Sequence, residues 1–323
     1  MASCSPIVTR GTSAPTNVDA PTTAATTLNG ARTLPALNFW NALLTANMAG
    51  LIGPNALGAE AWDLRSSYGF SLNHQNDGVF KWFIDRLCSG QWEPQSFAIL
   101  KEYVREDSLV LDIGAWLGPL ALYALAVAPG SRVLAVEPDP VARQLLADNL
   151  RLNRALLQAD QRVTVCAHAL AQTSGTATFG NAHYGFGDSM SKLGDGDLVV
   201  PTLSWEQFVH QYQVDLDVVS LIKMDIEVSG GEEHVVPDMA SHIAAHRAQG
   251  GQVPPLYLSL HTPSYSCGAE TTLQLLQHIL RCYDQLLLLE AQVVTSNIDK
   301  CRCFVEKHGH GSVLCVVSPD ANR

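Results

Sequence analysis

From residue 108 onward the chain alternates between short apolar runs and segments of helical periodicity, and this restricts its fold more than any other feature. "SLVLDIG" reads as a buried strand, followed by a helix over 118–128. "RVLAVEP" (132–138) is a second strand, with a helix over 140–153 that carries Leu145, Leu146 and Leu150. "RVTVCAHAL" (162–170), "VDLDVVSLIKMDIE" (214–227), "PPLYLSLH" (254–261) and "QLLLLEA" (285–291) continue the series, with a helix over 269–284. Strands this apolar are covered on both faces, and only helices between parallel strands cover them so. The pattern predicts an α/β fold, a doubly wound, mostly parallel sheet of seven strands. "CRCFVEK" and "SVLCVVS" near the C-terminus predict a strand or hairpin at its edge, with Cys301 and Cys303 on one strand face, beside His308 and His310.

The rest of the chain is built differently. Residues 1–33 are mainly Ala, Thr, Ser and Pro, with Asp19 as the one acid; such a segment buries too little to order itself and is expected to be disordered. Its hydroxyl-rich, acid-poor composition also suits an organelle transit peptide, beside the favoured cytoplasmic location. The stretch 34–53 carries Asn38, Asn41, Thr45 and Asn47, which favours a docked helix over a membrane span. Residues 34–105 read as an N-terminal helical cap, with Val79, Phe80, Phe83, Ile84 and Leu87 on one stripe and Pro94 opening another helix. The domain proper is expected over 106–323, interrupted by a Gly-rich insertion at 171–200 whose His183, Tyr184, Ser189 and Ser191 are candidates for the substrate side. With 31 acids against 20 basic residues the net charge is -11, so neither nucleic acid nor an anionic membrane is expected as a partner. A small-molecule acceptor is expected instead; oligomeric state is not legible.

Open parallel sheets bind ligands at the carboxyl ends of their strands. Strand one ends in Asp112, Gly114 and Ala115, and strand two in Glu137, Pro138 and Asp139. Strand three ends near His168 and Ala169, strand four in Lys223, Asp225 and Glu227, and strand five in His261. Gly114 permits a tight turn, and Gly118 a close approach of helix or ligand. The G-x-x-x-G spacing differs from the dinucleotide fingerprint G-x-G-x-x-G, and Trp116 does not suit a loop that hugs pyrophosphate. Glu137 lies 19 residues past Gly118, where a carboxylate accepts ribose hydroxyls. A nucleoside without pyrophosphate fits, which points to S-adenosylmethionine. Plainer roles stand beside these: Asp112 and Glu137 as turn acids, Asp225 and Glu227 as solvated rim charges, Lys223 as the partner of Asp225, and His261 as a satisfied strand-end histidine.

"VLDIGAWLG", "VEPDP", "DNLRLN" and "LIKMDIE", in this order, resemble the FkbM-type class I S-adenosylmethionine-dependent methyltransferases over roughly residues 105–265. The resemblance implies that Asp112, Gly114, Ala115 and Gly118 contact the methionine half of S-adenosylmethionine. It implies Glu137 on the ribose, Pro138 and Asp139 at the adenine edge, and the backbone around Ala169 over the adenine. Asp225 faces the sulfonium and the substrate. No metal is required. O-methylation of a small hydroxylated metabolite or sugar follows as the expected activity, with His261 as first candidate base, Asp225 as second and Lys223 beside them. The text departs from the family at "MDIEVSGGEE", where Val228 and Ser229 look inserted before Gly230. A nicotinamide dehydrogenase, and a methyltransferase-fold protein that binds without turnover, remain the alternatives.

Overall fold

The structure, a computed structural model, describes residues 55–56, 61–73, 78–180, 191–194, 196–226 and 231–318. The disordered segment expected at 1–33, the docked helix at 34–53, His183, Tyr184 and Ser189, and Glu227 with the Val228-Ser229 insertion lie outside these residues.

Helices α1 (Gly78–Cys88) and α2 (Pro94–Tyr103) precede the domain. In chain order there follow β1 (Leu109–Ile113), α3 (Pro119–Val127), β2 (Arg132–Val136), α4 (Pro140–Leu152) and β3 (Val163–Cys166). Next come β4 (Gly175–Gly180), β5 (Leu198–Leu203), α5 (Trp205–Gln211), β6 (Val219–Met224), α6 (Gly231–Ala248) and β7 (Leu256–His261). The chain continues through α7 (Ala269–Ile279), β8 (Gln285–Leu288), β9 (Val293–Thr295), α8 (Ile298–Lys307) and β10 (His310–Val316). The main sheet has eight strands in the order β9-β8-β10-β7-β6-β1-β2-β3. The run from β7 to β3 is parallel, and β10 is antiparallel to both its neighbours. This is the expected doubly wound, mostly parallel α/β sheet, with β9 added to the seven expected strands as a hairpin on β8.

Side chains alternate across the sheet with the two-residue period of a strand. Val110, Val133, Leu221, Tyr257 and Leu314 belong to the core that also holds the N-terminal helices and α3. Leu111, Leu134, Ile222, Leu258 and Val313 belong to the other core, with α5, α6 and α7. Helix α3 is apolar on every side because it is buried from Pro119 to Leu125.

Two expectations at the C-terminus are corrected. "SVLCVVS" lies inside the sheet, as β10 between β7 and β8, because a run buried at Val313, Leu314, Cys315 and Val316 has no solvent side to give an edge. "CRCFVEK" is helix α8: Cys301, Phe304 and Val305 are buried at helical spacing while Cys303 is exposed, so the two thiols do not share a face. Among the described residues, no cluster of His, Cys, Asp and Glu is grouped to hold a metal, and no helix is long and apolar enough to cross a membrane.

N-terminal to α1, residues 55–56, 61–63 and 71–73 add a three-stranded antiparallel sheet to the expected helices. Two asparagines of "DNLRLN", Asn149 on α4 and Asn153 at its C-terminal cap, hold its last strand. Asn153 accepts from Ser71 N at 2.8 Å and donates to Ser71 O at 2.7 Å. Asn149 accepts from Asn73 N at 2.8 Å and donates to Leu117 O at 2.9 Å. Asn149 thus ties the glycine loop after β1 to the N-terminal layer. Asn149→Ala strands a buried carbonyl and an amide, and is expected to cost about 2–4 kcal/mol in urea unfolding. A loss under about 0.5 kcal/mol would show that solvent replaces the side chain.

Candidate functional site

The chain leaves β1 outward toward β2 and β3, and leaves β6 outward toward β7. The β1–β6 boundary is therefore the point where the strand order reverses, and a crevice opens beyond the carboxyl ends of these strands. Register places Asp112 of β1 opposite Lys223 of β6, and Lys223 opposite Tyr257 of β7. These polar groups form one row across the face that carries the N-terminal helices.

The row is almost fully buried. Asp112 is 2% exposed and Lys223 is 4% exposed, and Lys223 Nζ lies 3.3 Å from Asp112 Oδ1. The ammonium also donates to Gly114 O at 2.6 Å and stands 3.9 Å from Asp225 Oδ2. Burial pushes the Asp112 carboxyl up, against the pull of Lys223. Burial opposes the charge on Lys223 too, but Asp112, Asp225 and Glu93 together hold its ammonium above the ordinary lysine range. The lysine is a clamped counter-charge.

The loop after β1 turns at Gly114, whose φ is +80°. A Cβ there would stand 1.9 Å from Asp225 O, so only glycine lets the chain after β6 pass this close. Asp225 N donates to Ile113 O at 3.0 Å in the same crossing. Gly118 serves a different contact: its φ is +86°, and a Cβ would meet Leu146 of α4 at 2.3 Å. Trp116 has φ +51° and points its ring into the N-terminal layer, 4.8 Å from the Phe83 ring and 6.5 Å from Trp92. That packing accounts for a tryptophan in a glycine loop.

Glu137 closes the other side of the loop. Its Oε2 accepts from Trp116 N and its Oε1 from Asp139 N, both at 2.8 Å. Burial pushes the Glu137 carboxyl up to about 7, against those two N–H donors. Asp139 caps α4, accepting from Val141 N at 2.7 Å and from Ala142 N at 3.2 Å. At the far side, His261 Nε2 lies 3.5 Å from Asp225 Oδ1, and its Nδ1 lies 3.2 Å from Glu232 Oε1. Glu232, fully buried in the first turn of α6, also accepts from Ile226 N at 2.9 Å. Burial pushes its carboxyl up, against His261.

These elements enclose a cleft open to solvent. Asp112, Gly114, Ala115, Glu137, Pro138, Lys223 and Asp225 line it. A second, small apolar slot shares Gly114 and Pro138 with the cleft and is walled by Ile113, Val136, Ala169, Leu170 and Phe179. A model of the methyltransferase FkbM domain matches the segment from Asp112 through residue 250. Residues 112–250 form a methyltransferase FkbM domain.

No curated protein matches the chain. Among solved structures, it is similar to the methyltransferase FkbM from Methylobacillus flagellatus, at 17% identity over 65% of this chain and 44% of that one, with a TM-score of 0.41. The chain thus spans under half the length of that protein. It is also similar to a putative rRNA-methylase from Clostridium thermocellum, at 14% identity over 69% of this chain and 94% of that one, with a TM-score of 0.40. A third is a SAM-dependent O-methyltransferase from Thermotoga maritima, at 14% identity over 70% of this chain and 65% of that one, with a TM-score of 0.35.

Within the FkbM domain and its surroundings, the structure brings most of the candidate residues to one place; Ala169 lines the adjoining slot, and Gly118, Asp139 and His261 lie off the lining of both. Ser191, a candidate for the substrate side, lines the cleft from the insertion, and Phe179 joins it there. Glu93, Trp82 and Trp92 reach the cleft from before the FkbM domain. Phe179 is expected from no motif, since it lies on β4 of the small insertion sheet. Glu93 had one usable signal, an acid directly before Pro94, repeated as Glu137-Pro138 at the end of β2.

Proposed function

We propose that the FkbM domain binds S-adenosylmethionine at the β1–β6 switch point and transfers its methyl group to a hydroxyl of a small, uncharged acceptor. The observation that carries this reading is the junction of the Glu137 carboxylate with the apolar slot at the ends of β1, β2 and β3. Each Glu137 oxygen accepts one backbone N–H and keeps a lone pair for a ribose hydroxyl. Ile113, Val136, Ala169 and Leu170 would take the adenine, and Asp112 with Gly114 the amino-acid end.

Charge argues for the same ligand class. Glu93, Asp112, Glu137 and Asp225 line a cleft in which Lys223 is the counter-charge. Such a site repels the pyrophosphate of a dinucleotide and favours a ligand that carries positive charge. It also disfavours phosphorylated acceptors. When bound, the cofactor supplies an electrophilic methyl carbon. The chain's part is alignment: the Gly114–Asp225 crossing and the Lys223 clamp hold the cleft rigid, and alignment is the larger share of catalysis for a displacement of this kind. His261 has both ring nitrogens against carboxylates, which suits it to positioning Asp225.

Calorimetric titration with S-adenosylhomocysteine, with NAD as control, tests the reading. The first is expected to bind and the second not. Binding of NAD instead would establish the dehydrogenase alternative, and binding of neither would leave a methyltransferase fold without this cofactor. Glu137→Ala is expected to weaken S-adenosylhomocysteine binding by about 1–3 kcal/mol. Unchanged affinity in a folded variant would refute the ribose role.

A further inference from the structure

Glu93 stands directly before Pro94 with φ 41° and ψ 52°. A residue before proline avoids helical conformations, and a non-glycine residue avoids positive φ, so this geometry is doubly strained. The strain does not serve the helix, because the Glu93 side chain makes no cap bond to α2. It turns the carboxyl into the cleft, beside Trp82 and Trp92. There Ser96 Oγ donates to Glu93 Oε2 at 2.8 Å and lies 2.9 Å from Tyr257 Oη. A hydroxyl has one proton to give, so with Ser96 donating to Glu93, Tyr257 donates to Ser96. The relay reaches from β7 of the sheet to the N-terminal layer and fixes one oxygen of the carboxyl. The other, Oε1, has no part in it.

The charged neighbours complete the picture. Asp112 comes from β1, Lys223 from β6 and Asp225 from the segment after β6, and the Tyr257 phenol lies on β7. Lys223 lies closest to Asp112 and Gly114 O, at 3.3 and 2.6 Å, so Asp225, 3.9 Å from its ammonium, and Glu93 share a cation that has nearer partners. Burial, with the Asp225 carboxylate next, pushes the Glu93 carboxyl up to about 7, against Lys223 and Ser96.

We propose that Glu93 is the proton acceptor of this cleft, ionised by a cation bound beside it and protonated again by the acceptor's hydroxyl. The proposal rests on the cofactor reading above and moves the base from His261 to Glu93. A positive group entering the cleft favours the carboxylate, so Glu93 releases its proton to solvent on binding. The carboxylate then takes the hydroxyl proton as the O–H bond breaks. The oxygen's electron pair forms the bond to the methyl carbon, and sulfur keeps the pair of the bond that breaks. The positive charge is thereby consumed, and Glu93 holds the proton until product leaves.

Calorimetry reads this without an acceptor. S-adenosylmethionine and S-adenosylhomocysteine are titrated at pH 7 in two buffers of different ionisation enthalpy, which gives the protons released. The sulfonium compound is expected to release more protons than the neutral thioether, because the added positive charge favours the ionised carboxyl beside it. Glu93→Gln abolishes the difference, and measurable binding of S-adenosylhomocysteine by the variant shows that its site is still formed. Ser96→Ala keeps the difference and moves its pH midpoint upward, because a donor to the ionised form is lost. Equal proton release by both compounds in the wild-type chain, or a difference that persists in Glu93→Gln, overturns the role of Glu93 while the cofactor reading stands. Failure of both compounds to bind overturns the two together.

Discussion

Lys223→Met is expected to destabilise the protein by about 3–5 kcal/mol, the cost of leaving a buried charge without its partner. Asp112 and Lys223 are directly paired in the sheet and separated by 3.3 Å, and both are nearly inaccessible to water. Methionine fills much the same space as the lysine stem, so the loss is electrostatic. The bond to Gly114 O goes with it. Asp112 then escapes its unpaired charge by taking up a proton, which burial already favours. The variant's deficit is therefore expected to shrink as pH falls and to be largest in mildly alkaline buffer. Adding Asp112→Asn removes the charge altogether and is expected to restore most of the stability, because an apolar or neutral replacement of a whole buried pair is often tolerated. Urea unfolding of the two variants at two pH values checks all three statements. A double variant no more stable than Lys223→Met would mean that the lysine acts through packing.

Gly114→Ala is expected to be as severe by another route. Its φ of +80° strains any L residue, and its Cβ would stand 1.9 Å from the Asp225 carbonyl oxygen, a backbone atom that cannot rotate away. Strain and overpacking together are expected to cost roughly 2–6 kcal/mol, and the displaced Asp225 would abolish S-adenosylhomocysteine binding. Two other glycines calibrate the result. Gly118→Ala meets the end of the Leu146 side chain at 2.3 Å, which can shift, and Gly250 has φ +85° with nothing within 4 Å of a new Cβ. The loss is expected to fall in the order 114, 118, 250. A Gly250 variant as damaged as the Gly114 variant would show that φ alone sets the cost.

What could be read in advance followed physical rules that act locally. The strands of the domain are continuous apolar runs, and acids at their ends stand out against that background, so Asp112, Glu137 and Asp225 were visible without any structure. The position of a strand within the sheet is a tertiary property, and β10 was accordingly placed at the edge when it lies inside. "CRCFVEK" was misread because Cys301 and Cys303 suggest a two-residue period, although Cys301, Phe304 and Val305 carry the helical one. Glu93 was hidden for a third reason. Before Pro94 it reads as a helix start, and nothing in "QWEPQ" reports a left-handed backbone that aims the side chain elsewhere. Trp116 looked out of place in a glycine loop until Phe83 and Trp92 were seen around it.

The FkbM match begins at residue 112, yet Trp82, Trp92 and Glu93 of the cleft precede it. One wall of the cleft is thus encoded upstream of the matched segment. Exchange of the stretch from α1 to the start of α2 between relatives is a way to read what that wall contributes to ligand choice.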